Sequence, residues 1–357
     1  MRYRFALLFF QPITPLHVGC GQDVGVVDLP VIRERATGYP FVPGSGIRGS
    51  VRALIEDFER ARPVATAQET GSEPDTARRP ERSMTATLFG PPPGNEDSEE
   101  DEDDERYAGC VAVHDAKLLF FPVRSDQKVF LWLTCPTVLA RFSRDVRAFL
   151  SPEENRRWEI EAGRLAGDDD TVVADADLAS PLYLEEFSFA LDASPEARAA
   201  WSRVSRWAAA VGAAVNAPEI QSRIVLVADR VFYDFVQQAT LLLQHNRLTS
   251  AKTVEGGGLF SVEAVPPETI FYGFFGATRE RRPAPAAEPA SPTADTADAS
   301  AKPSPYAPWE ADQVLHTLKT LWEHAAPSGY FHLGGKESTG LGVTRLAWAT
   351  DSEAPTS

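Results

Sequence analysis

The side chains best suited to chemistry lie near the start of the chain. Asp28 stands in GVVDLP, between two valines and a Leu-Pro, and is followed by Arg33, Arg35 and, in GSGIRGSVR, Arg48. A carboxylate repels a phosphate chain and guanidinium groups attract one, so the two sets cannot serve the same contact. An aspartate beside Leu-Pro is also a common turn residue whose carboxylate accepts backbone N–H groups. His17, in LHVGCG, precedes Asp28 by eleven positions. It can act as acid, base or phosphate contact, or simply fix the loop by hydrogen-bonding its backbone. No second histidine accompanies it, which argues against zinc.

Two further stretches fit a phosphate. Arg48 falls in the first turn of an expected helix, where the N-terminal N–H groups already favour an anion; a solvated surface arginine is the plainer reading. GGKESTGLG, 334–342, offers small residues with unhindered N–H groups and Lys336, a candidate nest for phosphates, though it lacks the GxxxxGK[ST] spacing of a nucleotide loop. Arg33, Glu34 and Arg35 alternate in sign, and a self-contained salt-bridge set is as good a reading as nucleic-acid contact. Cys20, Cys110 and Cys135 are far apart without a CxxC spacing, which fits reduced thiols.

The elements that must position these groups are legible from periodicity. YRFALLFFQP, 3–12, is an apolar run of strand length, followed by a glycine-rich loop. Residues 45–62 place Ile47, Val51, Leu54, Ile55 and Phe58 on one helical stripe opened by Pro43-Gly44-Ser45. CVAVHDAKLLFFPV and KVFLWLTCP are expected as a hairpin around RSDQ, and 137–150 as a helix started by Thr137. A flexible hairpin is expected within 243–272, where His245, Arg247 and Lys252 mix with a Gly-Gly-Gly turn. A helix at about 308–325 precedes strand, glycine loop and strand in YFHLGGKESTGLGVTRLAW.

Composition sets the limits. A formal charge of −16 argues against nucleic acid, but nine of the acidic side chains fall in the ten residues 96–105, so local patches decide. The tract 91–106 and the Pro/Ala-rich tract 283–305 hold too few large apolar groups to order themselves and are expected as disordered loops; 63–83 is a shorter third. No apolar run reaches 18 residues and no leader pattern opens the chain, so a soluble, cytoplasmic protein without a membrane partner is expected.

Strand–helix–strand–strand–helix–strand is the order of an α+β, ferredoxin-like (RRM-like) sheet. On that reading the chain is one elaborated domain over 1–357, with 151–275 as an inserted lobe. PLHVGCGQ, GVVDLP followed by RERATGYP, GSGIRGSVR, LFGP, HDAKLLFFPVRS and GGKESTGLG together resemble the repeated backbone subunit of type III-B (Cmr) CRISPR effector complexes, in the RAMP superfamily. The resemblance implies a RAMP fold with a protruding β-hairpin thumb, a subunit that polymerises along guide crRNA beside other Cmr subunits, and cleavage of the paired target RNA at regular intervals. It implies that the carboxylate required for cleavage is Asp28, with His17 the other catalytic candidate. The guide would be held by Arg33, Arg35, Gly46, Arg48, Gly334, Gly335, Lys336 and Gly340. Mg²⁺ or another divalent cation would support the cut, with Asp28 as its ligand. The neighbouring 2′-hydroxyl is then the nucleophile, and one carboxylate suffices, as general base or as metal ligand. A non-cleaving scaffold subunit and a crRNA-processing ribonuclease on the same fold are the alternatives.

Overall fold

In the computed structural model the described residues are 3–22, 26–61, 83–91, 107–160, 169–281 and 307–349. The acidic run 96–105, the tract 283–305 and all but the last residue of 63–83 lie outside them. The elements in chain order are β1 (Arg4–Pro12), β2 (Phe41–Val42), α1 (Gly44–Ala61), α2 (Met84–Phe89), β3 (Val111–Val113), β4 (Ala116–Arg124), β5 (Phe130–Thr134), α3 (Pro136–Phe149), α4 (Pro152–Asn155), β6 (Thr171–Val172) and β7 (Leu182–Leu184). They continue with β8 (Phe187–Leu191), α5 (Pro195–Val215), α6 (Ile220–Arg223), β9 (Ile224–Leu226), α7 (Asp229–Gln238), β10 (Leu241–Leu248), β11 (Val254–Ala264), β12 (Ile270–Ala277), α8 (Ala311–Ala325), β13 (Tyr330–His332) and β14 (Val343–Trp348). The architecture is mixed α+β.

The chain divides into two compact units. The larger comprises Phe5–Val51, Val113–Phe275 and Ala326–Ser357. Its main sheet runs β13-β14-β1-β12-β4-β5-β9. The pairs β1–β14, β12–β4 and β4–β5 are antiparallel, and β5–β9 is parallel. β1, β4 and β12 bury nearly all their consecutive residues, so both faces are covered and their near-continuous apolar sequences have no reason to alternate.

α3 lays Val138, Leu139, Phe142 and Val146 into the core. There the Phe142 ring meets Trp207 at 5.2 Å and Tyr272 at 4.8 Å. Its cap is Cys135 rather than Thr137. Thr137 instead gives its N–H and hydroxyl to Asp229, at 2.9 and 2.7 Å, so a carboxylate from α7 satisfies the helix start.

β10 and β11 form a separate two-stranded hairpin. Its turn is Thr249–Thr253, closed by Thr249 N–H to Thr253 O at 2.8 Å, and not the Gly-Gly-Gly triplet. The glycines lie within β11 opposite a register shift between Asn246 and Leu248. A Cβ on Gly258 would stand 2.8 Å from Glu255 O and 3.0 Å from Arg247 O, so this irregular strand needs a residue without one. Leu242, Leu248, Val254 and Leu259 are all exposed along the hairpin.

The smaller unit comprises Met1–Arg4, Arg52–Ala112 and Gly276–Ala325. Ser83 caps α2 by accepting Ala86 N–H, and Glu59 accepts the Met84 N–H at 2.7 Å and the Thr85 hydroxyl at 2.8 Å. α8 buries Val314, Leu318, Leu321 and Trp322, one apolar stripe of the helix.

The loop between β13 and β14 supplies a direct test of backbone strain. Gly340 and Gly342 have φ of 83° and 86°, but a Cβ on Gly340 would meet open space whereas one on Gly342 would collide with Leu333 O. Gly340→Ala is expected to cost about 1–2 kcal/mol, the left-handed penalty alone. Gly342→Ala should cost clearly more, read as a larger fall in the denaturant midpoint.

Candidate functional site

The site is built on one edge of β11. Leu29 N–H donates to Ser261 O at 3.1 Å and Glu263 N–H to Leu29 O at 2.9 Å, which lays 28–31 along the strand. Further on, Leu16 and Val265 exchange both backbone bonds, at 2.9 and 2.8 Å. The two incoming segments also pair with each other, Ile32 N–H reaching Val18 O at 2.7 Å.

The carbonyl of Glu263 lies on that edge between the two attachments. His17 Nδ1 bonds it at 2.7 Å. A carbonyl only accepts, so Nδ1 carries the hydrogen and Nε2 is the acceptor of the neutral ring. The ring is 6% exposed, and Gly19 leaves room at Nε2, where a Cβ would stand 2.7 Å away. His17 thus closes a gap in the ladder, the backbone-fixing role open to it from the sequence.

Asp28 is held differently. Its Oδ2 accepts both the N–H and the hydroxyl of Ser261, each at 2.8 Å, while its own N–H donates to Ser261 Oγ at 3.0 Å. Among the described residues Oδ1 has no partner, and the side chain is exposed. The Ser261 N–H, and next its hydroxyl, favour the charged form and hold the carboxyl below the usual carboxylate range. Asp28 is therefore a fixed, ionised group with one outward oxygen.

Glu263 ties the arrangement together. Buried, it accepts Val31 N–H at 2.9 Å on one oxygen, and Arg33 at 2.6 Å and the Thr240 hydroxyl at 2.9 Å on the other. Arg33 also donates to Gly38 O and Val236 O, at 3.0 and 3.2 Å. Glu34 pairs with Arg141 at 2.6 Å. Arg33 and Glu34 thus turn to separate partners rather than to each other, and Arg35 is left exposed, without hydrogen bond or ion pair among the described residues.

The glycine loop docks on the 15–17 segment, which itself lies on β11. Gly335 N–H donates to His17 O at 2.8 Å, and Gly334, at φ 82°, passes where any Cβ would strike that oxygen. The N–H groups of Gly335, Thr339, Gly340, Leu341 and Gly342 all bond backbone carbonyls, so the loop is not the open nest its composition suggested. What it presents is Lys336, whose Nζ stands 5.0 Å from the Phe260 ring centre, with His245 stacked on that ring at 5.5 Å. Phe260 and His245 are cross-strand partners on the hairpin.

Gly46 and Arg48 belong to α1. Asp115 already accepts the Gly44 N–H at 2.7 Å, and Arg48 is half-buried and is the fifth residue of the helix, one residue further in than expected. Gly46 and Gly49 both face open space, so the backbone there is approachable. Beside Thr240 and Leu241, where the hairpin begins, a cavity of about 860 Å³ is walled by Asp169, Asp170, Glu185, Glu186 and Asp234 around Arg230, a charge balance that repels phosphate.

No three His, Cys, Asp or Glu side chains among the described residues converge on a metal position. The donor set fits a divalent ion only through Asp28 Oδ1, with water and substrate oxygens completing the shell, a pattern Mg²⁺ tolerates. All three cysteines are free thiols; Cys110 and Cys135 are buried, and burial pushes the Cys135 thiol well up, away from reactivity. Among the described residues, no helix is long and apolar enough to cross a membrane.

A sequence model of the RAMP superfamily matches residues 9–345. The chain belongs to the RAMP superfamily. Over 269 residues this RAMP protein is 32% identical to the CRISPR system Cmr endoribonuclease Cmr4 of Pyrococcus furiosus, covering 74% of this chain and 79% of that one. Among solved structures it is similar to oligomeric Cmr4 from Pyrococcus furiosus, with a TM-score of 0.58, 23% identity and 97% of each chain covered. It is also similar to a chain of the type III-B Cmr-beta complex bound to cognate target RNA, with a TM-score of 0.60, 19% identity and coverage of 97% and 98%. These two likenesses speak for the fold.

Sequence reasoning did not find Ser261 or Glu263. The signal was there in FSVEAV: a glutamate within an otherwise apolar strand must have a buried partner.

Proposed function

We propose that this chain is a repeated backbone subunit of a type III-B CRISPR effector complex, which holds guide crRNA and cleaves complementary target RNA through Asp28. The observation that carries the reading is the ionised Asp28 carboxylate, fixed on β11 with one oxygen outward, in a chain a third identical to a Cmr endoribonuclease. The sheet supports a ferredoxin-like core: β14-β1-β12-β4 is interleaved as βαββαβ through α1 and α8, and the β10–β11 hairpin is the thumb. Such a complex works in the cytoplasm, with other Cmr subunits and further copies of this chain as its partners.

Asp28 Oδ1 accepts the 2′-hydroxyl of the scissile nucleotide and aligns it on the adjacent phosphate. Its lowered pKa weakens it as a base and keeps it anionic. A divalent cation, when bound there, neutralises charge on the phosphate. His17 keeps the loop in place through Glu263 O. Arg35, Arg48 and Lys336 face the guide, and Arg33 braces the loop from behind.

The test is assembly of the chain with Cmr subunits, a guide and a labelled complementary RNA. Regular multiple cuts are expected, whereas a single cut in a precursor hairpin by the isolated chain would point to guide processing. In the same assembly Arg48→Glu should weaken guide retention alike for all guide sequences and reduce the slope of log affinity against log salt by about 1. Unchanged retention at raised salt would remove Arg48 from the guide path.

A further inference from the structure

We infer that Ser261 is the positioning residue for Asp28, so that the hairpin strand β11 sets the direction of the reacting carboxylate. The inference rests on the proposed role of Asp28. An exposed aspartate ordinarily samples several rotamers, and each change of rotamer turns its oxygens elsewhere. Here the hydroxyl of Ser261 both donates to Oδ2 and accepts the Asp28 N–H, while the Ser261 N–H holds the same oxygen. Backbone and side chain of Asp28 are therefore locked to one residue 233 positions away. Oδ2 is turned toward the strand and Oδ1 is the oxygen left to face substrate. Serine is the smallest residue whose side chain both donates and accepts, and at 5% exposure Ser261 is buried, so its hydroxyl depends on these bonds.

The other charged and titratable groups around the carboxylate leave this arrangement alone. On β11 they are Glu255 and Glu263, on β10 His245 and Arg247, on the 16–22 segment His17 and Cys20, on the segment of Asp28 itself Arg33, Glu34 and Arg35, and on the glycine loop Lys336 and Glu337. Arg33 and Glu263 pair with each other, Arg247 with Glu255, and Lys336 lies over Phe260. Among the described residues only Ser261 bonds the Asp28 carboxylate.

Ser261→Ala removes the two hydroxyl bonds and leaves the backbone bond. In the assembled complex it should retain guide and bind target as wild type does, yet cut on the order of 10²-fold more slowly, the scale of a misaligned reacting group. Ser261→Thr keeps the hydroxyl and should recover the rate. A Ser261→Ala enzyme that cuts at the wild-type rate, a Ser261→Thr enzyme as slow as Ser261→Ala, or a Ser261→Ala chain that fails to assemble overturns the inference; the last would make Ser261 a folding residue. Asp28→Ala separates the two readings. If that variant still cuts, the proposed function fails. If it is dead while Ser261→Ala is unimpaired, only the positioning role fails.

Discussion

Asp28→Ala is expected to leave assembly, guide retention and target binding intact while lowering target cutting by about 10²–10⁴-fold, the usual range for a positioned acid–base group. The side chain is exposed and, among the described residues, its carboxylate bonds only Ser261, so its loss releases the Ser261 N–H and hydroxyl and leaves the Leu29 and Leu16 attachments to β11 in place. Removing a negative charge beside a polyanion also takes away a repulsion, so target affinity should rise slightly if it changes at all. Asp28→Asn sharpens the test. Its amide oxygen can still accept the Ser261 N–H and hydroxyl, so the loop conformation survives, but the charge, the basicity and most of the affinity for a cation are lost. If Asp28 is a turn residue, Asn restores everything, because asparagine is as good there as aspartate. If it acts on the scissile nucleotide, Asn is nearly as inactive as Ala. Measuring guide-dependent cutting and target binding side by side for wild type and both variants distinguishes the cases, and vigorous periodic cutting by Asp28→Asn would sink the catalytic assignment.

The parts of this arrangement that local sequence dictates were legible, and those made by distant contacts were not. β1 announces itself through an unbroken apolar run, α1 through a repeating stripe, and β13–loop–β14 through strand residues around glycines. Each signal lies within one element. Asp28 and His17 stood out because their motifs are local too. Ser261 and Glu263 are more than 200 positions away and acquire their meaning only when β11 receives residues 16–17 and 28–31 on its edge. The same cause explains the misread details. Thr137 has a capping residue's chemistry, but Asp229 of α7 is the carboxylate that meets the helix. The Gly-Gly-Gly triplet has a turn's composition, yet the register shift in the hairpin takes the glycines and the turn falls at Thr249–Thr253. The glycine loop looked like a nest because unpaired N–H groups cannot be told from paired ones in a sequence. Five of them point at protein carbonyls.

Glu263→Ala should be the most destabilising substitution in the site, and for a reason that separates it from Asp28→Ala. Its carboxylate satisfies three groups at once: the Val31 N–H, the Thr240 hydroxyl and the Arg33 guanidinium. Both members of the ion pair are largely withdrawn from water, with side-chain exposures of 19% for Arg33 and 11% for Glu263. Deleting one partner leaves a charge with only the Gly38 and Val236 carbonyls for company, a change that costs about 3–5 kcal/mol. Glu263→Gln preserves the volume and one acceptor but aims an NH₂ group at a donor, either Val31 N–H or Arg33, and should cost about 1–3 kcal/mol. The backbone carbonyl that holds His17 is unchanged in both, so the 16–17 attachment should persist while 28–33 loosens. Cutting should therefore fall in step with stability across wild type, Gln and Ala, whereas Asp28→Ala loses cutting at a much smaller cost in stability. Denaturant midpoints of the isolated chain, set against cutting rates of the assembled complex, provide both axes. A Glu263→Ala chain as stable as wild type would mean that the buried pair neither holds the loop to the hairpin nor accounts for the fixed direction of Asp28.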